Sequence, residues 1–264
     1  MARNEAFAKP RRAADTRRVR TFPALLLCLA AAASCRKAEP APPSALILWA
    51  WERPEDLRFA AGAAEIALQT GFLEISGDRL LARGRRFPLK TAAPPATVLV
   101  HVQIDPLSRP LWTPELRRRT AAAFLHYAQV VPARRVQVDF EVLESQRPML
   151  LDLLADVRAG LPKGTTLSMT ALASWCDTED WLAAAPVDEI VPMLFRMREA
   201  GEHLKKRLAQ GQDFRNPRCR SALGISTDSP IVRAPPGRRV YLFNPRSWRE
   251  NDFTGARRMV EGWR

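Results

Sequence analysis

The chain has 264 residues, of which 47% are hydrophobic and 26% charged, and its formal net charge is +13 at pH 7. This composition is ordinary for a globular protein and is sufficient for one large domain or two small ones. A basic chain can attract nucleic acid, but its Arg residues are scattered, and no zinc-finger or RNA-binding signature is present. We therefore expect no nucleic-acid partner.

The N-terminal region has the layout of an export signal. Five Arg residues between positions 11 and 20 precede an apolar run over residues 22–33, which is too short for a comfortable membrane-spanning helix. The segment Ala32–Cys35 resembles the bacterial lipoprotein box, in which the Cys is lipidated, although Leu is more usual at the position of Ala32. We predict an export signal over residues 1–35. Either Cys35 is the lipid anchor to a membrane, or the signal is an ordinary cleaved one.

The domain boundaries follow from this signal. Residues 36–43 form a Pro/Ala-rich linker, and residues 44–264 form the folded domain. The expected location is therefore outside the cytoplasm, as a membrane-anchored lipoprotein or a periplasmic protein. Outside the signal region only Cys176 and Cys219 remain, and they either pair as one disulfide or stay as two buried thiols. Neither has a His or a second Cys at ligand spacing, so we predict no metal site, and we predict no cofactor.

Short apolar runs alternate with helical patterns along the folded domain. A hairpin is predicted around Gly77-Asp78, and Thr113 is a cap-like residue before Pro114 at the first helical position. The predicted strands cover residues 45–51, 72–84 (the hairpin), 97–104, 135–142, 165–172, 189–195, 220–226 and 238–244. The predicted helices cover residues 56–70, 113–129, 147–160, 177–185, 201–211 and 253–263.

This alternation predicts an α/β fold with parallel strands joined by crossover helices. About eight strands in about 220 residues suit a compact (β/α)8 barrel of the TIM type. The alternative is an open doubly wound sheet. Such a sheet usually has a Gly-rich phosphate-binding turn after its first strand, and residues 51–56 contain no glycine.

In a barrel, the C-terminal ends of the strands build the active site, so polar residues there are informative. Asp139 and Glu141 lie two apart on one predicted strand and therefore point to the same face. We predict Glu141 as a general acid, since burial would raise its pKa, and Asp139 as its partner. Asp139 could instead be a structural acid, paired with Arg196 or with backbone of a neighbouring strand.

Other strand ends supply the remaining candidates. A carbohydrate site combines Trp rings, which stack on sugar faces, with carboxylates that bind hydroxyl groups. Asp105 or Glu52 could add a third carboxylate across the barrel mouth. The predicted substrate-binding residues are Glu52, Trp51, Asp105, Trp175, Arg196 and Asn244, although each Trp could equally belong to the core.

Four separated segments resemble the bacterial family called domain of unknown function 3142. They are Leu48–Phe59, Val136–Glu141, Leu167–Cys176 and Val187–Met197, in that order along the chain. The resemblance extends over nearly all of residues 44–264. It implies an exported protein or lipoprotein, and it implies no established activity.

A broader resemblance connects the chain to glycosidase-type barrels, including the chitinase-like group. Their fourth strand has the pattern DxxDxDxE with a catalytic Glu at its end, and Asp139 and Glu141 match its final D-x-E. The two earlier acidic positions are Arg134 and Gln137 here, and Arg196 replaces an acidic or aromatic residue expected near the sixth strand. The expected function is glycoside hydrolysis on a cell-envelope or extracellular glycan. The alternative is a non-catalytic envelope lipoprotein that binds saccharide or a protein partner.

Overall fold

The computed structural model describes residues 45–263, apart from the side chains of Arg198 and Ala200. The predicted export signal (residues 1–35), its lipid anchor Cys35 and the linker (residues 36–43) lie outside the described residues. Among the helices within residues 45–263, none has the length and apolar character needed to cross a membrane.

The described residues form a barrel of parallel strands, which confirms the predicted fold class. The strands are β1 (Ala45–Ala50), β2 (Glu55–Asp56), β3 (Glu65–Ser76), β4 (Arg79–Gly84), β5 (Leu89–Lys90), β6 (Thr97–Ile104), β7 (Arg135–Phe140), β8 (Thr166–Leu172), β9 (Glu189–Met193), β10 (Ala222–Ser226) and β11 (Arg239–Phe243). Eight of them are neighbours in the order β1-β11-β10-β9-β8-β7-β6-β3, and the pairing of β3 with β1 closes the barrel. Closure removes the sheet edges that the open alternative would leave.

Residues 45–263 contain five α-helices, so only some of the strands are followed by the helix that a regular (β/α)8 barrel would have. They are α1 (Pro114–Ala128), α2 (Arg147–Gly160), α3 (Trp175–Thr178), α4 (Arg198–Ala209) and α5 (Glu250–Glu261). Thr113 caps α1 as predicted, because its hydroxyl accepts a hydrogen bond of 3.2 Å from the backbone N–H of Leu116. The helix predicted over residues 177–185 is reduced to α3 and a separate 3-10 turn at Trp181–Ala184.

The helix predicted over residues 56–70 is wrong. Part of that segment belongs to the 12-residue strand β3, which lies between β1 and β6 and continues into the predicted hairpin with β4. The Ala-rich composition favours a helix only weakly, whereas β3 gains two parallel ladders and buries side chains on both faces. Ile66 and Leu68 pack in the outer core, and Ala67 faces the barrel interior.

Two apolar clusters fill the molecule. The larger one lies between the strands and the surrounding helices, and the smaller one occupies the barrel interior, where Ile47, Trp49, Leu99, Val191 and Tyr241 meet. Trp49 is the bulkiest side chain there and is 1% exposed. Strand β10 accommodates it with Gly224, because a Cβ at this position would lie 2.8 Å from the Trp49 ring.

A buried polar network occupies the N-terminal ends of the barrel strands. Glu189 accepts hydrogen bonds from Tyr241 (2.7 Å) and Ser168 (3.1 Å), and it forms ion pairs with Arg239 and with Arg135 at 3.6 Å. We call Glu189, Ser168, Tyr241, Arg135 and Arg239, together with Gln137, the basal network. Gln137 connects it to the apolar cluster, since its amide accepts from the Trp49 indole N–H at 2.7 Å and donates to Ser168 at 3.0 Å.

Cys176 and Cys219 form a disulfide, the first of the two alternatives that the sequence left open. Their Cα atoms are 5.9 Å apart, and 43 residues separate them in sequence. The bond ties α3 to the segment that precedes β10. It therefore restrains the part of the barrel where β8 is followed by only a short helix.

Candidate functional site

A cavity opens at the C-terminal ends of the barrel strands and has a volume of about 420 Å³. Four of the eight predicted site residues line it: Trp51, Asp139, Glu141 and Arg196. The other lining residues are His101, Arg53 and a set of apolar side chains that includes Phe195 and Phe243. Concave, largely apolar walls with a few polar groups are typical of sites for small molecules and saccharide units.

Asp139 is held in one orientation by residues from both neighbouring strands. One carboxylate oxygen lies 2.6 Å from His101 Nδ1 on β6, and the other accepts a hydrogen bond of 2.6 Å from the Thr170 hydroxyl on β8. The parallel register places His101 directly beside Asp139, and all three side chains point into the barrel. Asp139 is 5% exposed and makes no ion pair with Arg196. If Asp139 has a purely structural role, its partners are therefore His101 and Thr170, and not Arg196 or the backbone of a neighbouring strand.

His101 connects this carboxylate to the aromatic wall of the cavity. Its ring stacks on Phe72, with centroids 5.5 Å apart, and meets the edge of Trp51 at 5.9 Å. Burial lowers the pKa of His101, but the hydrogen bond and the charge of Asp139, aided by Gln103 and Glu141, outweigh burial and raise the pKa above 6.5. The imidazole therefore holds a proton more firmly than a free His.

Glu141 follows β7 and reaches solvent at the cavity mouth. Its pKa is raised above 4.5, first because the surrounding protein desolvates its carboxylate and second because Asp139 repels its negative charge. The positive charges of His101 and Arg196 oppose this rise without cancelling it. Glu141 therefore keeps its proton to a higher pH than a free Glu, which is the direction of shift that a general acid needs.

Arg196, which follows β9, lines the same cavity as these acids. Its guanidinium group sits 5.2 Å from the centroid of the Phe243 ring, which stacks on Phe195 at 5.3 Å with nearly parallel planes. Its φ angle is 58°, a left-handed conformation that costs a residue other than glycine roughly 1–2 kcal/mol. Within residues 45–263, Arg196 forms no ion pair. Backbone strain of this kind clusters at functional sites.

The structure places Glu52 and Asp105 away from the cavity. Glu52 forms an ion pair of 2.6 Å with Arg83 and accepts from the backbone N–H of Arg86 at 2.9 Å. Burial raises the pKa of Glu52, but these hydrogen bonds together lower it below its usual value. Asp105 accepts from the Ser76 hydroxyl at 2.9 Å and from the Leu107 backbone at 3.0 Å. Neither carboxylate lines the cavity with Glu141.

Trp175 and Asn244 are also placed outside the cavity lining. Trp175 is 4% exposed and packs edge-on against Trp181 in the outer core, with centroids 5.1 Å apart. Asn244 is 1% exposed, accepts from the Thr227 hydroxyl at 2.7 Å and donates to Asp252 at 3.1 Å. Trp175 is therefore part of the core, and Asn244 connects the segments that follow β10 and β11.

The sequence reasoning missed His101 and Thr170 as site residues. The partner of His101 is an Asp 38 positions away, so no local spacing connects the two residues. A usable signal existed in the strand pattern. His101 and Thr170 occupy interior positions near the ends of β6 and β8, the strands that precede and follow β7 in the sequence and pair with it in the barrel.

Among the described residues, no group of three or more His, Cys, Asp and Glu side chains is arranged to hold a metal ion. In comparisons with known proteins, no family model matches the chain, and no curated protein matches it. The resemblances to domain of unknown function 3142 and to glycosidase-type barrels therefore stay predictions from the motifs. The geometry of the cavity is the remaining guide to function.

Proposed function

We propose that the protein is an exported hydrolase of glycosidic bonds in a cell-envelope or extracellular glycan, with Glu141 as the general acid. The observation that supports this proposal is the raised pKa of Glu141 beside the fixed carboxylate of Asp139, in a cavity lined by aromatic rings. A glycosidase acid must stay protonated until it transfers its proton to the leaving oxygen. Trp51, which lines the cavity, provides an aromatic surface for the apolar side of a sugar ring.

Asp139 acts beside this acid as a fixed negative charge. Its two oxygens are already engaged by His101 and Thr170, so it cannot turn away when a substrate enters. Its charge keeps the proton on Glu141 and would stabilise the positive charge that develops on the sugar in the transition state. His101 and Thr170 orient the Asp139 carboxylate from the two neighbouring strands, β6 and β8.

Asp139 and Glu141 are neighbours on one side of the cavity. Among the described residues that line it, they are the two carboxylates, and no third faces them across the space. Two carboxylates that flank the scissile bond from opposite sides are therefore not present here. The attacking group would come from a water molecule or from a substituent of the substrate itself, as in the substrate-assisted glycosidases.

The disulfide supports the location outside the cytoplasm. A stable bond between Cys176 and Cys219 forms in oxidising compartments, in agreement with the predicted signal. We propose that Cys35 anchors the mature protein to a membrane and that a glycan, rather than nucleic acid, is its partner.

The second candidate is a non-catalytic envelope protein that binds saccharide. Arg196 stands where the glycosidase-type pattern has an acidic or aromatic residue, and Asp139 already has partners for both oxygens. Such a protein would bind glycans in the same cavity without cleaving them.

The experiment compares wild type with Glu141→Gln on a panel of cell-wall and exopolysaccharide fragments. We expect the variant to lose at least about 100-fold in turnover, because general acid catalysis typically contributes that much or more, while it still binds the fragments. Glu144→Gln is the matched control, since Glu144 lies three residues later and its side chain is 85% exposed. Equal turnover by wild type and Glu141→Gln would refute the role of Glu141. Binding without turnover by wild type would favour the second candidate.

A further inference from the structure

We propose that the cavity selects saccharides that carry an anionic substituent, a carboxylate or a sulfate or phosphate ester, and that Arg196 binds this group on the wall opposite Glu141. The inference rests on the proposed function as a glycan site and names the class of glycan. It does not require that the glycan is cleaved. The supporting observations are the order of the barrel strands, the contacts of Arg196 and the contacts of the neighbouring arginines.

The strand order separates the charges of the cavity. In the closed barrel β11 lies four strands from β7, which places the two strands on opposite sides of the eight-stranded ring. Strand β7 and its end supply Asp139 and Glu141, whereas β11 supplies Phe243, over which the Arg196 guanidinium lies. Arg196 follows β9, and its contact with Phe243 places its guanidinium on the β11 side of the cavity, whereas the two acids lie on the β7 side with His101 beside Asp139.

Arg196 is positioned for a ligand by its ring contact and its backbone. The Phe243 ring supports one face of the guanidinium and leaves the edge, with its N–H donors, without a protein acceptor within residues 45–263. A planar guanidinium with free N–H groups matches a carboxylate, sulfate or phosphate with two parallel hydrogen bonds. The left-handed φ of 58° at this position disfavours Arg, so a stability argument does not account for its presence.

The neighbouring arginines are already used by the protein. Arg53 also lies near Phe243, at 5.9 Å, but it pairs with the buried Glu55 at 2.8 Å and donates to the carbonyls of Asn244 and Pro245. Arg83 stacks on Phe72 and pairs with Glu52. Arg196 is therefore the arginine of the described cavity lining whose charge is left for a ligand.

The opposed walls also decide the orientation of the ligand. The fixed carboxylate of Asp139 repels an anionic group, so this group would lie toward Arg196, and the neutral glycosidic oxygen would then face the protonated Glu141. A neutral sugar offers no charge to pair with the guanidinium, which is exposed and would stay hydrated by water.

The test measures binding by calorimetry to oligosaccharide pairs that differ only in the anionic group. The probes are galacturonic acid tetramers, 6-sulfated galactose tetramers and neutral galactose tetramers of the same linkage, with further acidic and neutral pairs of glucose and mannose. All proteins also contain Glu141→Gln, so that no probe is cleaved. The test variants are Arg196→Gln and Arg196→Lys. The control variant is Arg119→Gln, which also removes one positive charge but lies on the exposed surface of α1.

We expect the protein with Arg196 intact to prefer the acidic member of at least one pair and to lose that preference as salt increases. Arg196→Gln should weaken binding of the acidic member at least about tenfold and leave the neutral member within about twofold, and Arg196→Lys should be intermediate. Arg119→Gln should change neither. The uronate and sulfate arms show which anion the site takes.

Two results would overturn the inference: no acidic preference in any pair, or an acidic preference that Arg196→Gln leaves unchanged. These results are distinct from failure of the proposed function. Selective binding of an acidic glycan that the enzyme with Glu141 intact does not cleave would refute hydrolysis and leave the selectivity in place. Cleavage of neutral glycans that depends on Glu141 and is unaffected by Arg196→Gln would refute the selectivity for acidic glycans and leave the proposed hydrolysis in place.

Discussion

The two ends of the barrel interior both contain carboxylates, but these carboxylates differ in burial and in the number of protein groups that bind them. In the basal network, Glu189 is 1% exposed and is surrounded by Ser168, Tyr241, Arg135 and Arg239. At the cavity, Glu141 is exposed and has a raised pKa, and it shares the cavity with Arg196, which forms no ion pair with any of residues 45–263. The same strand, β7, contributes to both ends through Gln137 and Asp139.

The difference separates a structural role from a functional one. A buried charge that is matched by hydrogen bonds and opposite charges has no capacity left for a ligand, and its removal leaves its partners uncompensated. A carboxyl group with a raised pKa and a cation without an acceptor both retain capacity for new bonds. Asp139 is intermediate, because its partners are protein groups but it lines the cavity and acts on Glu141.

The largest expected effect on stability is at Glu189. Glu189→Ala should lower the free energy of unfolding by about 3–5 kcal/mol, because it leaves Arg135 and Arg239 at the barrel base without their shared carboxylate. Glu141→Ala should change it by less than about 1 kcal/mol, as expected of an exposed group. Urea unfolding of both variants checks this contrast. Similar losses at the two positions would abolish the distinction between the two ends.

Trp49 tests the link between the basal network and the apolar interior. Trp49→Phe removes the indole N–H that Gln137 accepts at 2.7 Å and leaves a void beside Gly224. We expect a loss of about 2–4 kcal/mol in unfolding free energy, from an unsatisfied buried amide plus a cavity. The paired variant Trp49→Phe/Gln137→Leu should recover part of that loss. No recovery would mean that the hydrogen bond contributes little.

The pH dependence of stability tests the upper end. Because the folded-state pKa of His101 is raised above 6.5, its contribution to stability is fully present below pH 6.5 and is lost as the pH rises through the folded pKa. Wild type should therefore lose this increment on the alkaline side, and His101→Gln should not. Asp139→Asn should lower the pKa of His101, which NMR titration of the imidazole measures directly. An unchanged pKa of His101 in the Asp139→Asn variant would show that Asp139 does not stabilise the protonated imidazole.

The smallest expected effect is at Arg196. Arg196→Gly relieves a left-handed backbone conformation and should raise the free energy of unfolding by about 0.5–1 kcal/mol. Chemical denaturation measures the change, with Arg196→Ala as a comparison that keeps the strain. A loss of stability in the glycine variant would indicate that the contact with Phe243 matters more to folding than the strain costs.

Local patterns in the sequence determined much of the fold. Alternating apolar residues located the eight barrel strands to within a few residues, apart from the start of β3, and Thr113, Pro114 and the Gly77 turn located a helix start and a hairpin. These features depend on contacts between residues close in sequence, which composition and spacing encode directly. The position of Asp139 and Glu141 at one strand end followed from the same periodicity.

Tertiary structure alone decided which strand-end residues meet. His101 lies beside Asp139 because β6 and β7 pair in a fixed register, although 38 residues separate the two in sequence. Glu52 does not line the cavity, and its carboxylate instead forms an ion pair with Arg83 on the hairpin strand β4. In the same way, residues 65–71 form the first part of the strand β3 because they pair with β1 on one side and with β6 on the other. Each of these outcomes is set by pairing between distant segments, and the free energy of such pairing is not contained in any local stretch of the chain.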